Sequence, residues 1–170
     1  MKIAITGHRP NKLGNDYDLT SPLMLKIKSR IHKVIDHHIM NLLPSDEDVT
    51  LITGMALGID TLFAKIAIES KLPFIAAIPC IGQEKMWPDK SKDVYRSILA
   101  NPFCKRHLVS ETGYDNSVMQ KRNIWMVDNC DLLIAVWDGT SGGTANCVKY
   151  AESIGKEITR INPKSDEKSL

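Results

Sequence analysis

Short apolar runs rich in β-branched residues return at intervals along this chain, and most are followed by a glycine-bearing turn and then a segment of helical periodicity. That alternation is the mark of repeated βα units, which close into a parallel sheet with helices on its faces. Five strands are read at 2–6, 49–53, 74–79, 132–137 and 157–161, with a shorter sixth at 106–110. The first helix opens after Thr20 or Ser21 with Pro22 at its first position, and stops before Pro44. A second helix over 56–71 puts Leu57, Ile59, Leu62, Phe63, Ile66 and Ala67 on a core face, while Asp60, Lys65 and Glu69 need another environment. Helices at 90–99 and 117–129 follow, and the last runs from Gly143 to Ile154, closed by Gly155. The predicted architecture is α/β, a three-layer Rossmann-like open parallel sheet with helices on both faces. It forms one domain over 1–163, followed by a polar tail over 164–170.

The length of 170 residues suits one buried core. The net charge of +2 comes from scattered Lys and Arg residues rather than a basic stripe, so nucleic acid is not an expected partner. Cys80, Cys104, Cys130 and Cys147 form no CxxC pair and fit reduced thiols. Neither a signal peptide nor an apolar stretch of about 18 residues is present, so a cytoplasmic protein without a membrane role is expected. No metal site or cofactor is predicted, because no His, Asp or Cys pairs stand at ligand spacing on one element. His37 and His38 read as surface residues, Trp125 and Trp137 as core.

Four turns carry the unusual residues: Thr6-Gly7-His8-Arg9-Pro10, then Thr53 to Asp60, then Gly82-Gln83-Glu84, then Asp138 to Thr144. In a parallel sheet all four leave the same edge, where open α/β sheets bind ligands. Glycines let backbone N–H groups approach a phosphate, and a following helix N-terminus adds a favourable dipole. Gly142-Gly143-Thr144 is the best such cradle, although glycines also make ordinary βα turns. A P-loop is disfavoured because GxxxxGKS/T is absent. An ordinary dehydrogenase is disfavoured because the first turn lacks GxGxxG and strand two ends in Thr53 rather than an acid.

Together these motifs resemble the SLOG superfamily, which includes the lonely-guy phosphoribohydrolases and the DNA-processing protein A domain. Thr6 to Pro10 and Thr53 to Asp60 resemble motifs of a bacterial and phage branch. The run Met119 to Asn123, with Asp131 to Trp137 and Gly142-Gly143-Thr144, is similar to the lonely-guy block in which an arginine precedes a PGGxGTxxE loop. The resemblance extends from Lys2 to about Pro163. It implies a Rossmann-like fold, a nucleotide-derived ligand, a homodimer or larger assembly, and a substrate-contacting role for Arg122. One position departs: Cys147 stands where the phosphoribohydrolases carry their catalytic glutamate.

The leading expectation is binding of a nucleotide or nucleotide-sugar phosphate, such as a nucleoside monophosphate, ADP-ribose or an NAD-derived ligand. Its contacts would come from Gly7, His8, Arg9, Gly54, Met55, Ala56, Gly58, Gln83, Trp87, Arg122, Asn123, Gly142, Gly143 and Thr144. Arg9 and Arg122 offer bidentate bonds to phosphate, against the simpler reading of surface ion pairs. Trp87 is weighed between stacking on a base and filling a gap beneath its loop. The first alternative is an N-glycosidic hydrolase of nucleoside 5′-monophosphates, with Asp60, Glu84 or Asp138 replacing the missing glutamate as the group that activates water. The second is a single-stranded DNA binding module, weakened by the lack of a basic groove interleaved with aromatics.

Overall fold

Each apolar run alternates between two packing faces, and this draws the strands into a sheet buried on both sides. In β1 (Lys2–Gly7) Ile3 and Ile5 enter one core and Ala4 the other. In β5 (Leu132–Val136) Leu132, Ile134 and Val136 oppose Leu133 in the same way. The computed structural model describes residues 1–42 and 48–165. It also contains β2 (Thr50–Thr53), β3 (Phe74–Ile78), β4 (Cys104–Leu108) and β6 (Glu157–Ile161), all parallel, in the order β4-β3-β2-β1-β5-β6.

This order places the helices. The chain steps from β1 out to β4 through α1 (Pro22–Leu42), α2 (Ile59–Glu69) and α3 (Asp89–Leu99), whose apolar residues fill one core. It then crosses back through α4 (Asn116–Asp128) to β5, and α5 (Gly143–Ser153) leads on to β6. Because parallel crossovers keep one hand, reversing direction moves α4 and α5 to the opposite face, where Met126, Val127, Cys147 and Ala151 pack. The result is a Rossmann-like three-layer α/β fold whose strand order reverses between β1 and β5.

The predicted elements shift at few places. Pro22 opens α1, and the Ser21 hydroxyl accepts the Met24 N–H at 3.3 Å as the cap. The predicted stop before Pro44 and the tail beyond Ser165 lie outside the described residues. β4 begins two residues earlier than predicted. The second helix starts at Ile59 instead of 56, because Gly58 sits at φ +87° and residues 54–57 wrap around the side chains of Thr53, Asp60 and Thr61. His38 is buried, not at the surface, with Nδ1 2.8 Å from the Val34 carbonyl one turn back. Trp125 and Trp137 are half-buried rather than core: Trp125 stacks on His107, and Trp137 donates its indole N–H to the Thr140 carbonyl. Among the described residues no helix is long and apolar enough to cross a membrane.

The end of β1 meets the start of α2 with no room to spare. A β-carbon at Gly7 would stand 2.5 Å from Ile59 Cβ, and one at Gly58 would stand 2.7 Å from the His8 carbonyl oxygen. Glycine at both positions therefore lets the two loops touch. Gly113, by contrast, has nothing within 4 Å and no positive φ. Gly7→Ala is expected to destabilise the fold by about 1–3 kcal/mol through overpacking, and Gly113→Ala by less than about 0.5 kcal/mol. Urea denaturation of the two variants beside the parent checks the contrast.

Candidate functional site

Where β1 and β5 diverge, a half-open pocket of about 770 Å³ lies between the β1 loop, the start of α2, the segment before α4, and α4 and α5. Its floor is an ion pair. Arg122 on α4 and Asp60 in the first turn of α2 are both buried, with Nη1 and Oδ2 3.3 Å apart, and the same Nη1 donates to the Gly54 carbonyl. Burial pushes the Asp60 carboxyl above its ordinary range, while the Arg122 charge and the Ala56 N–H, which donates to Oδ2 at 3.2 Å, pull it down.

The Thr53-to-Asp60 motif exists to hold this pair. The Thr53 hydroxyl donates to the Asp60 carbonyl and the Thr61 hydroxyl to the Ala56 carbonyl, both at 2.8 Å. Buried Met55 takes a left-handed φ of 55° at the bend. A β-carbon at Gly54 would lie 1.6 Å from Arg122 Nη1, so that glycine leaves the space the guanidinium occupies. Of the ligand contacts expected from this turn, Gly54, Met55 and Gly58 do not line the pocket, and of the motif only Ala56 and Asp60 reach it.

Arg122 also lines the cavity, and its buried Nε has no hydrogen-bond partner among the described residues. The N-terminus of α5 begins at Gly142, which supplies no side-chain cap, and Gly142, Gly143 and Thr144 all line the pocket. Asn123 holds this loop by donating to the Gly143 carbonyl at 3.3 Å, and Lys12 reaches across from the β1 loop to the Thr140 hydroxyl at 2.9 Å and the Ser141 carbonyl. Arg9 and Lys149 also line the pocket, are exposed, and form no ion pair among the described residues. The lining thus gathers the cations Arg9, Lys12, Arg122 and Lys149 against the single carboxylate Asp60.

The remaining predicted residues are placed as follows. Gly7 and His8 line the pocket, but the His8 ring is buried and bonded through Nε2 to Asp138 Oδ1 at 2.7 Å. Asp138 itself, in the loop after β5, does not line the pocket. Its carboxyl is held far below the usual range by Lys164 Nζ at 2.6 Å, against the opposing effect of burial, with help from Thr140 and His8. Gln83, Glu84 and Trp87 follow β3, two strands from the reversal, and none lines the pocket. Gln83 donates to the Tyr95 hydroxyl at 3.2 Å and Trp87 packs edge-on against the Tyr95 ring, so the gap-filling role describes Trp87. Cys147 is buried and off the pocket lining, and burial pushes its thiol up to about 12. It therefore stays protonated and supplies no base.

The sequence reading missed Thr6, Asn11, Lys12, Tyr114, Met119, Gln120, Asn146 and Lys149. Three of them carried a readable signal. Gly143, Asn146 and Lys149 recur every three residues on α5, and Met119 precedes Arg122 by the same step on α4, so each set shares a helix face.

The reversal in strand order, the uncapped helix N-terminus and the arginine floor describe a Rossmann-like domain with a cation-lined pocket at its switch point. The profile of the DNA recombination-mediator protein A family matches residues 28–169, and the chain belongs to that family, in a bacterial and phage branch of the SLOG type. It is 30% identical to the SPbeta prophage-derived protein YoqJ of Bacillus subtilis, over 85% of this chain and 92% of that one. It is 25% identical to the UPF0398 protein YpsA of the same organism, over 84% and 78%. Among solved structures, DNA processing protein A from Helicobacter pylori, described for its single-stranded DNA binding mode, superposes with a TM-score of 0.66 at 18% identity. That match covers 98% of this chain and 67% of the other. The Streptococcus pneumoniae protein of the same name gives 0.63 at 19% identity, over 95% of this chain and half of that one. These relatives correct the reading that nucleic acid is not an expected partner. A protein of this fold and family binds single-stranded DNA, so the lack of a basic, aromatic-interleaved stretch in the sequence is no argument against it.

Two outcomes follow from the site's construction. Asp60→Ala leaves a buried guanidinium without its counterion and is expected to cost about 3–5 kcal/mol, whereas Asp60→Leu combined with Arg122→Met recovers most of that loss. Chemical denaturation of the single and double variants measures both. Asp138 has a folded pKa below its unfolded value, so its contribution is present above about pH 4 and is lost as pH falls. The Tm difference between the parent and Asp138→Asn is therefore expected to be widest near neutrality and to shrink progressively below about pH 5.

Proposed function

We propose that this domain binds single-stranded DNA by seating a backbone phosphate in the β1–β5 pocket. The observation that carries the reading is the convergence of Arg9, Lys149 and the uncapped α5 N-terminus on one cavity that Arg122 also lines. Backbone N–H groups at a helix start and guanidinium groups are the donors that phosphate oxygens take. The DNA binding described for the Helicobacter pylori relative supports the same reading. Binding rather than cleavage fits the carboxylates: Glu84 and Asp138 are off the pocket, and Asp60 is engaged with Arg122 and Ala56.

A free nucleotide is the second reading, favoured by the pocket's size, since about 770 Å³ falls within the range of small-ligand sites. The two differ in what extra chain length adds. Fluorescence anisotropy with a labelled oligo-dT of about 20 nucleotides, competed by unlabelled oligomer or by AMP, separates them. Tight oligomer binding that AMP displaces only at far higher concentration is expected. Arg9→Ala and Lys149→Ala should each weaken binding about tenfold, a charge-assisted contact being worth roughly 1.5 kcal/mol, and each should flatten the log–log salt dependence by about 0.7. Failure of the oligomer to bind, with AMP binding retained, would replace this reading with the second.

A further inference from the structure

Tyr114 has no work in the fold. It lies in the segment between β4 and α4, its side chain is 59% exposed, and among the described residues its hydroxyl has no hydrogen-bond partner. Yet it lines the β1–β5 pocket, where the only other aromatic ring, that of His8, is buried and bonded to Asp138. The other exposed aromatics, Tyr17 and Phe103, are not in this lining. The first turns of α4, which follow Tyr114 in the chain, contribute half-buried Met119 and Gln120 to the same lining. An apolar thioether packs well against a ring, and a primary amide offers both a donor and an acceptor to a base edge. The exposed cations Arg9 and Lys149 and the uncapped helix start come instead from the β1 loop and α5, while Arg122 of α4 is buried against Asp60 and the Gly54 carbonyl. The exposed chemistry is thus divided by element: charge from the β1 loop and α5, an aromatic face from the approach to α4.

We infer that Tyr114 is the base platform of the site, stacking on the base of the nucleotide whose phosphate lies at the α5 N-terminus. The inference rests on the DNA-binding reading and adds what the pocket selects: a strand that carries exposed bases, of any identity, rather than a bare phosphate backbone. Stacking has little sequence preference because every base presents a π-face. A duplex, whose bases are already stacked, would be excluded.

Anisotropy with two labelled oligomers of equal length and charge tests this, one of dT and one of abasic tetrahydrofuran units. The parent protein is expected to bind dT at least about fivefold more tightly. Tyr114→Ala should remove that preference while leaving abasic binding unchanged, and Tyr114→Phe should keep it. Equal binding of the two oligomers by the parent, or equal loss on both in Tyr114→Ala, overturns the platform and leaves the phosphate site standing. Absence of binding to either oligomer by the parent overturns the DNA-binding reading and the platform with it.

Discussion

A guanidinium buried against a carboxylate is tolerated in a protein interior only when its surroundings supply hydrogen bonds, and here that requirement organises the switch-point edge. Arg122 and Asp60 come from helices on opposite faces of the sheet, so their contact ties the two layers together above the ends of β1 and β2. The Gly54 carbonyl, the Ala56 N–H and the hydroxyls of Thr53 and Thr61 complete the arrangement. Two of that loop's N–H groups, those of Met55 and Ala56, are already bonded to the side chains of Thr53 and Asp60. The proposed phosphate is instead seated at the α5 N-terminus, which lacks a side-chain cap and lines the pocket.

The fold follows from constraints that act locally and were readable in the chain: period-two alternation, glycine at the ends of strands, and β-branched runs of strand length. Arg122, Asn123 and the Gly142-Gly143-Thr144 turn were legible for the same reason, since a motif that precedes or opens a helix stands at a known place relative to the sheet edge. Gln83 and Trp87 were misplaced because a shared edge is not a shared site. Without the strand order, nothing in their own sequence says that β3 lies two positions from the reversal. Gly54 and Gly58 were misread because a glycine that admits a neighbouring side chain looks in sequence like one that admits a ligand. Only Arg122 Nη1 beside Gly54 and the His8 carbonyl beside Gly58 tell the two apart.

Electrostatics explains the remaining error. Basic residues scattered along the chain give a net charge of +2 and no stripe, but Arg9 and Lys12 follow β1, Arg122 lies on α4 and Lys149 on α5. Folding brings these separated positions to one cavity, so the local field there is far more positive than composition implies. Asp60 offsets Arg122 at the floor, which leaves the cations at the mouth uncompensated. A charge pattern that is built by topology has no counterpart in a linear count. The same topology determines how the pocket treats what it binds. Its floor carboxylate is drawn toward Arg122, and the position at which related hydrolases place glutamate holds a buried thiol whose pKa of about 12 keeps it neutral. The interactions that gather positive charge at the cavity thus also engage the one carboxylate in its lining, which is tied to Arg122 and the Ala56 N–H.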